Sequence, residues 1–327
     1  MRDAIDALAA AFADLADGRA VNRPRSHTYT DLGEGRHYLF KSMDGALPAR
    51  GVHGLRLSSD LTWEHDGRRD KIAAAPGGTY VGLVLLFDIE TLAPVALLHD
   101  GELQRIRVGA TSALAADRLA RPDARVAAVI GAGWQAAMQI AGLREVRELD
   151  EIRVYAPTRA KLEAFCAAHD ATPADSAREA IEGADVVALA TNSHEPVLDG
   201  AWLEPGQHVG SVQGGELDET TLRRADLVVV RSSDPATYHY APGHAPVEVS
   251  RDARAAVETV ELGEVVAGRA GRASEADVTL FTGGGTGASS GLGIQFAAVG
   301  DAVYRAARAR GLGRELPTEW FTQKEKP

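Results

Sequence analysis

The chain has 327 residues, a formal net charge of −11, and 45% hydrophobic against 25% charged residues. That is room for two domains and a sizeable core; the acidic balance argues against a nucleic-acid partner, and no apolar run approaches membrane-spanning length. A single cysteine, Cys166, excludes an internal disulfide framework, and with no basic-then-apolar leader at the start it points to the reducing cytoplasm.

Residues 1–16 place Ile5, Leu8, Ala9, Phe12 and Leu15 on one face of a helix. From about Arg25 to Leu98, apolar runs alternate with turns. His37–Lys41, Val52–Ser58 and Tyr80–Asp88 are broken at Asp44-Gly45, Asp66-Gly67 and Pro76-Gly77-Gly78, which predicts a mostly antiparallel sheet. Arg107 to Ala120 reads as a helix ended by Arg121-Pro122-Asp123. Strands are then predicted at Arg125–Ile130, Glu151–Tyr155, Val186–Thr191, Gln207–Val212 and Leu227–Val230, with helices between several of them. That alternation predicts a doubly wound parallel sheet. A last helix spans Gln295 to Arg310. The fold class is α/β, a Rossmann-type doubly wound parallel sheet following a smaller α+β domain.

The most telling stretch is Arg125 to Ala136. Val126-Ala-Ala-Val-Ile130 ends at Gly131-Ala132-Gly133, and Trp134 and Gln135 open a helix. Strand, glycine turn and helix start together make a pyrophosphate site, because the glycines admit the phosphates and the helix N–H groups face their charge. Ala136 stands at the third glycine position, which the fingerprint tolerates. The second strand runs into Tyr155-Ala-Pro-Thr158-Arg159 with no carboxylate at its end. NAD-preferring folds place an acid there for the ribose hydroxyls. Thr158, Arg159 and Lys161 instead suit a 2′-phosphate, so NADP(H) is favoured over NAD(H); the two cations read otherwise as the solvated first turn of the next helix.

Beyond these elements the chain resembles the ornithine cyclodeaminase/mu-crystallin family over nearly its whole length. The likeness is carried by Arg107-Val-Gly-Ala-Thr-Ser-Ala-Leu-Ala-Ala116, Val129-Ile-Gly-Ala-Gly-Trp-Gln-Ala136, Ala190-Thr-Asn-Ser-His-Glu-Pro-Val-Leu-Asp-Gly-Ala-Trp-Leu-Glu-Pro-Gly206, Glu216-Leu-Asp218 and Arg224-Ala-Asp-Leu-Val-Val-Val230. It implies a Rossmann domain (121–295) joined to a substrate-binding and dimerisation domain built from both chain ends (1–120 with 296–327), hence a homodimer. It also implies nicotinamide chemistry at the α-carbon of an amino or imino acid. Thr111, Thr191 and Asn192, within these segments, join Gly131, Ala132, Gly133, Trp134 and Gln135 as cofactor candidates.

Hydride transfer beside a carboxylate needs a cation for that carboxylate and a group that handles the proton. Arg107 corresponds by its motif to the family's carboxylate-binding arginine, and Arg25 resembles a second such position; each also reads as an ordinary salt bridge. The family usually has a lysine where aligning Met43 places Arg56. Arginine is a poor acid or base, yet it polarises a carbonyl or binds a carboxylate. Lys41, on a neighbouring predicted strand, offers a titratable amine for catalysis and substrate binding, or else is a solvated strand lysine. His53 and Asp60 are lesser candidates. Ser289 or Ser290, in the glycine-rich loop before the last helix, would line the pocket.

Cyclodeaminases carry an aspartate where this chain has Ser211, Val212 and Gln213, so ornithine cyclisation is disfavoured. His239 and His244 show no metal-ligand spacing, and no metal is expected. The expected activity is NAD(P)H-dependent reduction of an α-imino or α-oxo acid or a cyclic ketimine carboxylate, or the reverse oxidation, on a small carboxylate substrate. The alternatives are a cyclodeaminase-like lyase and a cofactor-binding protein without turnover.

Overall fold

The computed structural model describes residues 1–65, 68–193, 195–233, 237–249, 257–282 and 291–324. The chain divides into two compact units, one of Met1–Ala16, Arg105–Pro235 and Arg251–Gly291, the other of Asp17–Gln104, Ala236–Ser250 and Leu292–Pro327. Among the described residues no helix is long and apolar enough to cross a membrane.

The first unit is built on an eight-stranded sheet. Its order is Thr172–Pro173, Glu151–Tyr155, Val126–Ile130, Val186–Leu189, His208–Ser211, Thr279–Thr282, Leu227–Val230 and Thr259–Glu261. Every pairing is parallel. Val186–Leu189 is wholly buried and Val126–Ile130 nearly so, as strands covered on both faces must be. One core packs Val129, Val154, Ile140 and Leu162 on one face; the other packs Ala128, Ile130, Ile181 and Val187 on the opposite face. The chain builds outward from Val126–Ile130 to one side and then crosses to the other. The order therefore reverses between Val126–Ile130 and Val186–Leu189, and such a reversal opens a ligand crevice at the carboxyl ends of the strands.

The five expected strands of this sheet are all present. Thr172–Pro173, Thr259–Glu261 and Thr279–Thr282 were not expected, and the last inserts between His208–Ser211 and Leu227–Val230.

The second unit is a nine-stranded, mostly antiparallel sheet. The whole of its long strand Arg36–Leu47 pairs with residues Val52 to Trp63 of the strand Val52–His65. Arg25–Gly33 flanks the first, and Val81–Asp88 and Pro94–His99 follow the second. Thr237–Tyr240 joins the edge parallel to Arg25–Gly33. The expected break at Asp44-Gly45 does not occur, because Gly45 sits inside a strand directly opposite Gly54. This pair of glycines seats the last helix, Gly293–Ala309: a Cβ on Gly54 would lie 2.6 Å from the Cα of Ala297, and one on Gly45 2.8 Å from the carbonyl carbon of Gly293. Pro76-Gly77-Gly78 is the expected turn, with φ of 78° and 69° at the two glycines. Asp66-Gly67 lies outside the described residues.

These units differ from the sequence-based division at residues 120/121 and 295/296. Helix Arg2–Ala16 groups with the parallel sheet because it packs on Leu262–Val266, where a Cβ on Gly263 would lie 2.9 Å from the Phe12 carbonyl oxygen. Helix Asp100–Leu119 begins seven residues earlier than expected. From Arg105 it belongs to the first unit, where Gly109 and Gly142 let it approach helix Trp134–Val146 closely. Residues 237–249 form a hairpin on the antiparallel sheet, away from the strands that precede and follow them in sequence.

Candidate active site

In the first unit the crevice is formed by the turn Gly131–Gly133. Gly131 has φ of +117°, and a Cβ there would run into the carbonyl oxygen of Ala190. Only glycine fits both constraints. Gly133 is the N-cap of helix Trp134–Val146, and a Cβ on it would meet nothing within 4 Å, so its face is open. The helix has no side-chain cap and no acidic residue in its first turn. Its first N–H groups are thus left to an anion, and the helix dipole favours one. Ala136 is fully buried beneath.

Trp134 is half exposed, with the Arg105 guanidinium 5.9 Å from its ring centroid. The Oε1 of Gln135 is buried without a hydrogen-bond partner among the described residues. An open glycine face and an uncapped helix start together fit a dinucleotide pyrophosphate.

At the end of the second strand, Thr158 caps helix Arg159–His169 through its backbone alone, and its hydroxyl makes no capping hydrogen bond among the described residues. Arg159 bonds Glu163 and Asp175, each at 2.6 Å, and Lys161 is exposed. Across the crevice, Thr191 gives its N–H and its hydroxyl to Glu216 Oε1, at 2.6 and 2.8 Å, and Asn192 is exposed. Thr111 is buried and donates to the Arg107 carbonyl at 2.7 Å, one helical turn back. Arg107 itself is 1% exposed, the largest fully buried side chain among the described residues. A guanidinium held so deep must be compensated by fixed partners.

The second unit concentrates its polar chemistry on one sheet face. In Arg36–Leu47 the odd positions and in Val52–His65 the even positions share that face, since Lys41 pairs with Ser58 and Met43 with Arg56. The final helix covers the half with Gly45 and Gly54. The other half carries Lys41, Arg56, Ser58 and Asp60, joined by His27 opposite Lys41. Arg25, two residues before His27, shares the face, and His239 lies beside His27.

Asp60, only 3% exposed, holds Lys41 at 3.2 Å through one oxygen and Lys71 at 2.5 Å through the other. Ser58 adds a hydroxyl at 3.2 Å. Burial pushes the Lys41 pKa below its usual value, the charges of Lys71 and Arg56 push the same way, and Asp60 opposes them. Burial alone would raise the Asp60 pKa, but the hydrogen bond from Lys71 and the charge of Lys41 outweigh it and hold the carboxyl below its usual range.

Arg56 does not stand open on this face. Its Nε and Nη2 bind Asp100 Oδ2 at 3.0 and 2.6 Å, and Phe296 lies 5.5 Å from its guanidinium carbon. Gly82 makes room for Asp100, since a Cβ there would lie 2.7 Å from the Asp100 Cβ. His53 lies on the opposite face, 3.5 Å from Asp44. Ser289 and Ser290 lie outside the described residues.

His27 stacks on His239 with ring centroids 5.0 Å apart. Burial, then the charges of Arg25 and Lys41, push its pKa down to about 3. Sequence reading gave Asp60 a minor part and missed Asp100, Lys71 and His27. The signal that finds them is strand register, which places residues far apart in sequence on one face.

The model of the ornithine cyclodeaminase/mu-crystallin family matches residues 1–310. Over 329 residues the chain is 30% identical to the alanine dehydrogenase of Archaeoglobus fulgidus, covering 97% of this chain and 94% of that one. It is 32% identical over 250 residues to a Δ1-pyrroline-2-carboxylate reductase of Bacillus cereus, covering 73% and 74%. The structure of Thermococcus litoralis Δ1-pyrroline-2-carboxylate reductase in complex with NADH and L-proline is similar with a TM-score of 0.72 at 26% identity, covering 96% and 95%. The chain thus belongs to the ornithine cyclodeaminase/mu-crystallin family.

Proposed function

We propose that this chain is a nicotinamide-dependent oxidoreductase. It reduces the C=N bond of an α-imino acid or cyclic ketimine carboxylate, an α-oxo acid entering through its imine, and catalyses the reverse oxidation of the amino acid. The carrying observation is Lys41, a half-buried amine with a lowered pKa on a polar sheet face, oriented by the buried carboxylate of Asp60. When bound, the reduced nicotinamide supplies the hydride. Lys41 donates a proton to the imine nitrogen, so that a C–H and an N–H bond replace the C=N π bond. Arg107 and Arg25 hold carboxylate by the planar fork that suits it. Arg56, neutralised by Asp100, fixes the ledge beside Lys41 and handles no proton.

The cofactor reading is NADP(H). It is supported by the missing carboxylate after Tyr155 and by the hydroxyl of Thr158, which makes no capping hydrogen bond among the described residues. Arg159 is shared by Glu163 and Asp175, so a 2′-phosphate would compete with two carboxylates for it.

A homodimer belongs to the same reading. The sheet face away from helix Gly293–Ala309 carries Phe40, Leu55, Leu57, Leu83 and Leu85, all only partly buried, and the exposed Leu97. A contiguous apolar face of this kind suits a second copy.

The test is NADPH and NADH consumption against cyclic imino acids and 2-oxo acids with amines. Turnover with one of these classes is expected, falling at least about a hundredfold in Lys41→Ala. Tight cofactor binding with no consumption across the panel favours the binding-protein reading.

A further inference from the structure

Glu216 is 0% exposed, yet among the described residues it has no cationic partner. Its Oε1 accepts the Thr191 N–H at 2.6 Å and the Thr191 hydroxyl at 2.8 Å. Its Oε2 accepts the Gln213 N–H at 2.8 Å, and the Ser211 hydroxyl sits between that oxygen at 2.9 Å and the Gln213 carbonyl at 2.6 Å. Each oxygen thus faces a backbone N–H, a group that only donates, which is the environment a carboxylate needs. The Gln213 side chain closes the circuit by donating to the Thr191 carbonyl at 2.7 Å.

The two segments tied together leave the carboxyl ends of Val186–Leu189 and His208–Ser211. These strands lie on the far side of the switch point from Glu151–Tyr155. In a doubly wound sheet a dinucleotide spans that point, with its halves on opposite sides. The glycine turn and the end of the second strand serve the pyrophosphate and the adenosine, so the Thr191 and Gln213 segments face the nicotinamide half. A buried carboxylate without a countercharge is expensive to hold for packing alone, and a leucine would fill the space.

We propose that Glu216 is a positioning residue for the nicotinamide half of the cofactor, acting through Thr191 and Gln213 and touching no reactant itself. This rests on the dinucleotide reading above.

Glu216→Gln keeps the shape but sets an amide N–H against one of the backbone N–H donors. Fluorescence titration gives the affinity for NADH or NADPH, whichever the wild type binds more tightly. Competition gives the affinity for ADP-ribose, or its 2′-phosphate, which lacks the nicotinamide. The variant is expected to bind the reduced cofactor about tenfold more weakly, the worth of one hydrogen bond to a charged group, and ADP-ribose within about twofold of wild type. Parallel weakening of both ligands, or no change in either, overturns the proposal. If Glu216→Gln does not fold, Thr191→Val, which removes one donor, is read in the same way with a loss of about threefold. Wild-type protein that binds ADP-ribose but not the reduced cofactor also overturns the assignment of these segments. Wild-type protein that binds neither overturns the dinucleotide reading itself, and the proposal falls with it.

Discussion

Arg56 and Asp100 are joined by two hydrogen bonds to a single carboxylate oxygen, and neither side chain is more than 12% exposed. The Arg56 guanidinium is therefore half of a closed ion pair. Removing one partner leaves the other charged and buried. Asp100→Asn is expected to destabilise the antiparallel unit by about 3 kcal/mol, read as a lower urea midpoint. An unchanged midpoint would show that water reaches Arg56.

The proposed role of Lys41 as proton donor requires the protonated amine, so activity is expected to fall as pH rises through its pKa. Asp60 is the group that raises that pKa against burial. Asp60→Asn should lower it further and carry the alkaline limb of kcat/KM toward lower pH by about one unit. A limb that stays in place assigns the titration to another group.

Gly131 and Gly133 should respond differently to alanine. Gly131→Ala meets both a left-handed φ and the Ala190 carbonyl, and is expected to cost at least about 2 kcal/mol of stability. Gly133→Ala has room for its methyl and should fold within about 0.5 kcal/mol of wild type. It should nevertheless lose cofactor affinity, because the methyl occupies the open face. Paired denaturation and binding curves decide this.

His208 is fully buried beside Thr279 Oγ1 at 2.9 Å, and burial, then the charge of Arg272, holds its pKa near about 3. The unfolded chain takes up its proton at about pH 6.5, so stability is intact above that value and declines as pH falls toward about 3. Each pH unit inside this window costs about 1.4 kcal/mol. Urea midpoints at pH 7, 5.5 and 4.5 should fall less steeply in His208→Gln than in wild type.

Leu57→Glu places a charge in the middle of the partly buried apolar sheet face. Light scattering should show wild-type dimers and variant monomers, with the circular dichroism spectrum retained. Dimers that survive the change move the interface elsewhere.

The parallel sheet was legible because its central strands are apolar runs that end in turn residues. The glycine turn was legible because two glycines follow such a run directly. Thr172–Pro173 and Thr259–Glu261 have two and three residues and carry no period to read. Lys41 was found by its type, whereas its partner Asp60 is defined by pairing across two strands. Asp100 was hidden by its separation of 44 positions from Arg56. The hairpin of residues 237–249 was missed because nothing local tells a strand which sheet it will join. In each case local pattern reports the element, and tertiary pairing alone reports its neighbours.

The central place of Thr279–Thr282 also orders events in time. A ribosome releases Leu227–Val230 and Thr259–Glu261 well before the strand that joins them to the rest of the parallel sheet exists. Until residue 282 emerges, the sheet's first five strands end in an unpaired edge along His208–Ser211. Nascent chains stalled short of that point would expose this edge to neighbours, whereas chains a few dozen residues longer would close it in one step.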